Sequence, residues 1–396
     1  MQPSQKSRKF VAETFQCVIM ELLQQGMGKS KIHMFLVKNL IFLPFLVLLI
    51  LFMAVYPEKI SSYPDFVDWH TVLNLMGLLI VVTAIRESAY IGRLSRGLLL
   101  RTSTERGLAL ALVILSGVLS MFLTNDIALF ITFPLTLGFQ SAIKNDVKKL
   151  IIFQVLAVNV GSALIPIGNP QNLFLWHEWG ISFFHFIEKM APLFGVMSIV
   201  LMAFVWISFP SEKLAFHDKQ HKNGVDSRMF FLSVLVLAAF IASIELGVAY
   251  YALVVVIFIY LIFYRKVFVK TDWLLLILFV VMFIDFHLLS EVPFVTKLMK
   301  QLAMARPSDA FFGSLLSSQI MSNVPAAIFM SKFSTEWQAI AYGVNVGGNG
   351  LVMASLANII ALRFVKERSI WIDFHKYSIL YLLFTGGMVY LLFFLK

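Results

Sequence analysis

The chain has 396 residues, of which 59% are hydrophobic and only 14% are charged. Soluble domains carry about 25% charged residues, so this composition excludes an ordinary soluble protein and predicts a polytopic membrane protein. Apolar runs of about 18 residues, each enough to cross about 30 Å of hydrocarbon, recur along the chain. The net charge of +10 comes from basic residues in short loops, which is typical of cytoplasmic loops and argues against nucleic-acid binding.

The first segments predict a cytoplasmic N-terminus. Residues 1–39 are interpreted as an N-terminal interfacial segment, in which Phe10 to Leu23 favours a helix on the membrane surface. A first span is predicted over about Leu40 to Tyr56, behind a lysine-rich flank that stays inside. A second span is predicted from Trp69 to about Ile91 and ends in a basic cytoplasmic segment.

The next apolar region, residues 107–143, has basic flanks on both sides, so both of its ends are predicted to be cytoplasmic. We interpret it as a re-entrant hairpin with Thr124, Asn125 and Asp126 at its turn. Two short full spans joined by a tight outer turn are the alternative. The hairpin is favoured because an acidic residue at an ordinary turn between spans would have no evident role.

Residues 150–176 are predicted to cross the membrane as a broken helix. Their middle, NVGSALIPIGNPQN, contains Pro166, Gly168 and Pro170, which a continuous helix does not tolerate well. A backbone broken at membrane depth survives only where protein or a water-filled cavity covers it. This segment therefore predicts half of a transport site. Further spans are expected over about residues 182–209, 229–246, 248–264 and 273–291.

The pattern of the first half returns in the second half. Residues 307–333 repeat the hairpin, with Ser322, Asn323, Val324 and Pro325 at its turn. Residues 337–362 contain NVGGNGLVMASLAN, which aligns with NVGSALIPIGNPQN at an offset of 186 residues (345 − 159). The aligned pairs are Asn159 with Asn345, Gly161 with Gly347, Asn169 with Ser355 and Asn172 with Asn358.

The flanking charges make the first broken helix run outward and the second run inward, so the repeats are predicted to be inverted. Their bounds are residues 40–228 and 247–396, with the span 229–246 as the link between them. After the second broken helix, a last span is expected over about Tyr377 to Leu395. The predicted fold is an all-α polytopic membrane protein with about nine full spans, two of them broken, plus two re-entrant hairpins.

Inverted repeats with discontinuous helices are the construction of a secondary transporter. The N-terminal ends of the half-helices suit an anion, while carbonyl ends and side-chain oxygens can hold a small cation. The candidate site residues are Thr124, Asn125, Asp126, Gly168, Asn169, Asn172, Ser322, Asn323, Val324, Pro325, Ser355 and Asn358. No cofactor is expected, apart from a sodium ion that the tips at Asn125 and Asn323 could bind.

Three ionisable residues are candidates for coupling. Asp126 could be protonated or could ligate sodium, and alternatively its carboxylate could cap the second arm of the hairpin. Asp285 and His287 lie in the span Trp273 to Glu291 and could form a proton relay. The alternative for this pair is a hydrogen-bonded contact packed against other helices.

These motifs resemble those of the ion transporter superfamily, which includes divalent-anion/sodium symporters, citrate carriers, arsenite permeases and sodium/proton antiporters. SMFLTNDIAL followed by GNPQN is similar to the tip and broken-helix motifs of the dicarboxylate symporters, and SNVPA and SLANIIAL are similar to arsenite-permease-like anion permeases. The resemblance implies that the tip and broken-helix residues face substrate and coupling ions. It also implies a homodimer. Asp126 and Val324 depart from the dicarboxylate symporters, which have Thr there.

The leading hypothesis is a secondary carrier in the cytoplasmic membrane that moves a small anion, a carboxylate or an oxyanion, by alternating access. Coupling to a proton or a sodium gradient is expected. A sodium/proton antiporter and an arsenite-type efflux permease are alternatives from the same superfamily. A membrane enzyme is not expected, because the sequence has neither an HExxH motif nor a Gly-x-Gly-Asp motif.

Overall fold

A computed structural model of the chain describes residues 42–99, 102–139, 147–214, 224–302, 306–364 and 369–395. Within these ranges the regular elements are helices, apart from one isolated β-bridge between Thr104 and Lys213. The all-α class is confirmed, and the chain is a polytopic membrane protein. The predicted interfacial segment, residues 1–39, lies outside the described residues.

The helices are numbered in chain order over the described residues. They are α1 (Phe42–Val55), α2 (Tyr63–Phe66), α3 (Trp69–Glu87), α4 (Tyr90–Leu99), α5 (Glu105–Phe122), α6 (Asn125–Gly138), α7 (Val147–Ser162), α8 (Pro170–Glu178), α9 (Phe183–Ser208), α10 (Ser227–Glu245), α11 (Ala249–Phe263), α12 (Arg265–Lys270), α13 (Trp273–Glu291), α14 (Pro293–Gln301), α15 (Pro307–Met321), α16 (Asn323–Met330), α17 (Trp337–Gly347), α18 (Leu356–Phe364) and α19 (Ile370–Phe393). Short 3₁₀ helices occupy Pro57–Ser62 and Val352–Ala354.

The helix α1 belongs to a unit of its own and is apolar along its 14 residues. In the rest of the described chain, six helices are long and apolar enough to cross a membrane: α3, α5, α9, α10, α13 and α19. The helix α11 is apolar but has only 15 residues. The segments predicted as broken spans appear as the helix pairs α7/α8 and α17/α18, in which each member is too short to cross alone.

The chain is interrupted at four polar segments. Leu123 and Thr124 separate α5 from α6, and Ser322 alone separates α15 from α16. Ser322 has a φ of 76°, a backbone region that residues other than glycine seldom adopt. Residues 163–169 separate α7 from α8, and residues 348–355 separate α17 from α18. The interruptions therefore lie where the sequence places its polar and helix-breaking residues.

Close helix contacts through glycine hold α5 against α7 and α15 against α17. A Cβ atom on Gly161 would lie 1.9 Å from the backbone oxygen of Gly117. A Cβ atom on Gly343 would lie 2.4 Å from the backbone oxygen of Phe311. Small residues at such crossings let two helix backbones approach closely inside a membrane. The same kind of packing thus occurs in both halves of the chain.

Two predicted spans differ in extent from the helices observed. The second span ends at Glu87, because Ser88 and Ala89 leave the helix and α4 begins as a separate helix at Tyr90. Ala89 has a φ of 54°, which is incompatible with a continuing helix. The last span begins at Ile370 and not at Tyr377. Its first turns are polar and carry an ion pair between Lys376 and Asp373 (3.3 Å). Because these turns have low hydropathy, the hydropathy pattern does not include them in the span.

Candidate functional site

Four helices begin at the interruptions: α6, α8, α16 and α18. The residues immediately before them are Thr124, Asn169, Ser322 and Ser355, all with side-chain oxygens. Asn169 caps α8, because its Oδ1 accepts a hydrogen bond of 2.8 Å from the backbone N–H of Asn172. A helix start carries unpaired N–H groups and partial positive charge. Four such starts give the site donors without any lysine or arginine.

Asn159, near the end of α7, is buried and has its full set of four hydrogen bonds. Its Nδ2 donates to the backbone oxygen of Gly348 (3.1 Å) and to Oδ1 of Asn358 (3.0 Å). Its Oδ1 accepts from Nδ2 of Asn125 (3.1 Å) and from Oγ of Ser355 (3.1 Å). One amide therefore joins the first tip to the broken helix of the second half.

Asn345, near the end of α17, makes the corresponding bonds from the second half to the first half and is also buried. Its Nδ2 donates to Oδ1 of Asn172 (2.8 Å) and to the backbone oxygen of Ala341 (2.8 Å). Its Oδ1 accepts from Nδ2 of Asn169 (3.1 Å). Asn345 therefore joins the second half to the start of α8 in the first half.

The two sets of bonds are reciprocal. Asn159 contacts Ser355 and Asn358, and Asn345 contacts Asn169 and Asn172. The partners differ by the offset of 186 that separates Asn159 from Asn345 (355 − 169 and 358 − 172). We call these six residues the amide network: Asn159, Asn169, Asn172, Asn345, Ser355 and Asn358. All six are buried.

The first tip has buried oxygen atoms without donors. Thr124 Oγ1 and Asn125 Oδ1 have no hydrogen-bond partner among the described residues. A small cavity is lined by Thr124, Asn169 and Pro170 together with apolar side chains that include those of α3. Buried polar atoms are normally paired, so these oxygens mark a place where a ligand or water would bind.

The second tip lies at the break between α17 and α18. The Oγ atom of Ser322 is 3.5 Å from the backbone oxygen of Ala354 and 3.5 Å from Oδ1 of Asn323. A Cβ atom on Gly348 would lie 2.9 Å from Nδ2 of Asn323. The oxygen of Gly348 also accepts from Asn159, which is bonded to Asn125 of the first tip, so the first tip is linked to this break through Asn159.

The remaining predicted residues lie beside these elements. Val324 and Pro325 occupy the first turn of α16, where the missing N–H of proline costs no helical bond. Gly168 lies in the first break, where a Cβ atom would come within 2.6 Å of the backbone oxygen of Ser162. Asp126 lies in the first turn of α6, and its side chain lies outside the described part of the structure.

Asp285 and His287 are not brought together. They are two residues apart on α13, so their side chains point to different sides of the helix. Asp285 is completely buried, and neither carboxyl oxygen has a hydrogen-bond partner among the described residues. His287 stacks on Phe66 with ring centroids 3.9 Å apart, and its Nε2 lies 3.5 Å from Oε1 of Glu291.

An ion pair anchors the far end of α8, beyond the predicted end of the span. Nδ1 of His177 lies 3.4 Å from Oδ2 of Asp68, the residue that caps α3. Burial alone would lower the pKa of His177, but the Asp68 carboxylate outweighs it and raises this pKa. Burial alone would raise the pKa of Asp68, but its bonds with His177 and Thr71 hold it below its usual value.

Two residues at the centre of the network, Asn159 and Asn345, are absent from the candidates drawn from the sequence. They sit within regular turns of α7 and α17, where asparagine breaks no pattern. The signal that could have found them is their recurrence at the common offset, because two equivalent polar residues in apolar helices predict a shared role.

Comparison with known proteins gives matches to one family of membrane transporters. Residues 32–357 match the family described as Citrate transporter, CitMHS. The chain is 38% identical over 336 residues to the inner membrane protein YbiR of Escherichia coli, a match that covers 85% of this chain and 90% of that protein. It is 32% identical over 335 residues to a Methanocaldococcus jannaschii protein named as a transporter, over 83% and 90% of the two chains.

A shorter match, 23% identical over 154 residues, covers 39% of this chain and 27% of arsB, a protein of Dictyostelium discoideum named as a transporter. The resemblance to the ion transporter superfamily is confirmed, and so is the expectation that the protein is not an enzyme. Taken with helices broken at buried polar segments, the matches place this membrane transporter in the citrate transporter family, to which the chain belongs.

Proposed function

We propose that the protein is a secondary active transporter that carries a small anion, a carboxylate or an oxyanion, across the cytoplasmic membrane by alternating access. The reciprocal bonding of Asn159 and Asn345 carries this proposal. Amides that bond across the two halves can exchange those bonds for bonds to an anion, with donors already aimed at the site. The helix starts at Asn125, Pro170, Asn323 and Leu356 add N–H donors and positive dipole ends.

The architecture proposed for this mechanism is a pair of inverted repeats, residues 40–228 and 247–396, linked by the span 229–246. Each repeat has a re-entrant hairpin, α5/α6 in the first and α15/α16 in the second, and the second arm of each hairpin packs on the second half of the partner's broken helix, α6 on α18 and α16 on α8. The common offset of the hydrogen-bonded partners supports a two-fold relation between the repeats. Transporters of this construction move one repeat or bundle against the other around a fixed site.

The first tip offers ligands for a coupling sodium ion. Thr124 Oγ1 and Asn125 Oδ1 are buried oxygens without donors in the described part of the chain, and hard cations bind oxygen ligands. The second tip offers Ser322 Oγ and Asn323 Oδ1, which lie 3.5 Å apart. We propose the two tips as sodium sites if transport depends on sodium.

Arsenite export is the second candidate, and the match to arsB favours it. That match covers less than half of this chain, whereas the family match extends over residues 32–357. Neutral arsenous acid could also bind to a network of amides. The substrate that moves separates the candidates. An anion carrier accumulates a carboxylate or an oxyanion such as sulfate inside proteoliposomes, whereas an arsenite exporter lowers the arsenite content of cells.

The test is uptake into proteoliposomes by purified wild-type protein, with labelled citrate, succinate, sulfate and arsenite, under an imposed pH or sodium gradient. We expect saturable uptake of at least one anion and its loss in Asn159→Ala and in Asn345→Ala. Asn74→Ala is the matched control, because Asn74 is a buried asparagine of α3 outside the amide network. Uptake unchanged in both network variants would contradict the proposed site.

We also propose that the protein is a homodimer with its N-terminus in the cytoplasm, as the resemblance to the superfamily implies. Light scattering of the protein–detergent complex tests the first statement. Protease cleavage of an N-terminal tag in inside-out and right-side-out vesicles tests the second.

A further inference from the structure

The middle of α13 carries an acidic side chain that the anion site does not use. Asp285 has 0% of its surface exposed, and both carboxyl oxygens lack a hydrogen-bond partner among the described residues. Asp285 forms no ion pair in the described part of the chain. An unpaired carboxylate in such surroundings costs several kcal/mol, so the carboxyl group is neutral in this conformation.

The position of α13 connects Asp285 with the anion site. The ring of Phe283 lies 5.7 Å from that of Phe174 in α8, two residues after Asn172. The ring of Phe286 lies 6.3 Å from that of Phe329 in α16, the helix that begins at the second tip. The residues on both sides of Asp285 therefore contact two of the helices that start at the site. Movement of either helix changes what surrounds the carboxyl group.

Titratable groups lead from Asp285 towards the exposed end of α13. Tyr63 of α2, which packs on α13, has a buried hydroxyl group without a partner in the described part. Burial raises the pKa of Tyr63. Farther along, His287 lies beside Glu291, and Glu291 forms an ion pair of 2.5 Å with Lys59.

The other helices packed on α13 bring few charges towards this carboxyl group. The helix α16 has no ionisable residue, and α3 has none between His70 and Arg86. In α14, Lys297 and Lys300 are exposed at the far end of α13. The environment of Asp285 is therefore set by apolar packing, with Tyr63 and the groups near His287 on one side only.

We infer that Asp285 is the residue that carries the coupling proton of this transporter. Its carboxylate takes up a proton from water in an open state, and the neutral acid is enclosed in the closed conformation described here. When α8 and α16 move apart on the other side, water reaches the group and the proton leaves to that side. This inference rests on the proposed function, because the proton is useful only if it moves with the anion.

The first test separates net transport from exchange in Asp285→Asn, since asparagine imitates the neutral acid but cannot release a proton. We expect loss of accumulation driven by a pH gradient, while exchange of labelled for unlabelled anion continues. Accumulation equal to that of wild type would overturn the inference. Loss of exchange in a correctly folded variant would overturn it as well, because Asp285 would then be needed for movement of the anion itself.

A second measurement does not depend on transport. Infrared difference spectra of wild-type protein at neutral pH should contain the C=O band of a protonated carboxyl group. We expect Asp285→Asn to lose this component and Glu188→Gln to keep it, because Glu188 is an exposed carboxyl group on α9. Identical spectra for wild type and Asp285→Asn would overturn the inference. If the band behaves as expected but wild-type protein moves no anion, the proposed function fails and the protonated state of Asp285 stands.

Discussion

Replacement of Asn159 by alanine removes an amide that connects the first tip with the second broken helix. The variant loses two donated bonds, to Gly348 and Asn358, and two accepted bonds, from Asn125 and Ser355. The four former partners then face a cavity the size of the missing amide. The effect on the free energy of unfolding can be worked from these four bonds.

One interhelical hydrogen bond in a membrane contributes about 0.6 kcal/mol on average, so four contribute about 2.4 kcal/mol. If the cost is taken instead from the four partner groups left unpaired, at about 1 kcal/mol each, it is about 4 kcal/mol when no water enters. We therefore expect Asn159→Ala to lower the free energy of unfolding by about 2 to 4 kcal/mol. The lower end applies if water fills the space.

The assay is equilibrium unfolding in mixed micelles, with Asn74→Ala as the control and a double-mutant cycle as the sharper test. Asn159 and Asn358 share a bond of 3.0 Å, so we expect their substitutions to couple by about 0.5 to 1 kcal/mol. Asn159 and Asn74, which lies outside the amide network, share no bond in the described structure, and their substitutions should add. A variant as stable as wild type, or equal coupling in both pairs, would refute this reasoning.

Two further predictions concern packing and pH. Gly161→Ala would place a Cβ atom 1.9 Å from a backbone oxygen of α5, so we expect loss of folded protein by size-exclusion chromatography. Gly195→Ala is the control, because Gly195 has open space around it and this variant should resemble wild type. We expect His177→Gln to lower the melting temperature most at about pH 6. A histidine whose pKa is raised in the folded protein stabilises the fold fully below its unfolded pKa of about 6.5. This stabilisation is lost as the pH rises through the pKa of the folded state. The Asp68 carboxylate, whose pKa is lowered, stays charged over that range. A melting-temperature difference between wild type and His177→Gln that does not change between pH 6 and pH 8 would contradict the second prediction.

The interruptions of the helices could be predicted from residue types alone. Proline removes a helical donor and glycine loosens the backbone, so residues 163–169 cannot continue α7. The starts of α6 and α16 coincide with the tips predicted at Asn125 and Asn323. Such residues have few uses in an apolar stretch, and their meaning depends little on what packs around them.

The partners of these residues could not be predicted, because hydrogen bonds between halves depend on tertiary contacts. Nothing in the sequence near Asn159 distinguishes a hub with four bonds from an asparagine that bonds within its own helix. The positive φ of Ser322 could not be predicted either, because serine seldom adopts this backbone region whereas glycine commonly does. The sequence signal for Asn159 and Asn345 was their recurrence at the same offset as the other aligned pairs.

Helix ends were the least predictable part of the fold. The helix α5 begins at Glu105 because Thr104 caps it, with Oγ1 accepting a bond of 3.1 Å from the N–H of Gly107. The hydropathy pattern placed this boundary at Gly107, where the apolar run starts. Polar caps and ion pairs extend helices beyond their apolar run, so a reading of hydropathy shortens them.

The central claim is that the paired breaks form an anion site that water reaches from one side at a time. Ser355 reports on it directly, because its Oγ bonds to Asn159 at the centre of the amide network. In protein with Cys17→Ser and Ser355→Cys, the measurement is the rate of labelling by a membrane-impermeant thiol reagent in oriented vesicles. The proposed mechanism predicts labelling that the transported anion slows. A rate that no anion changes, or a thiol that reacts from neither side, would contradict it.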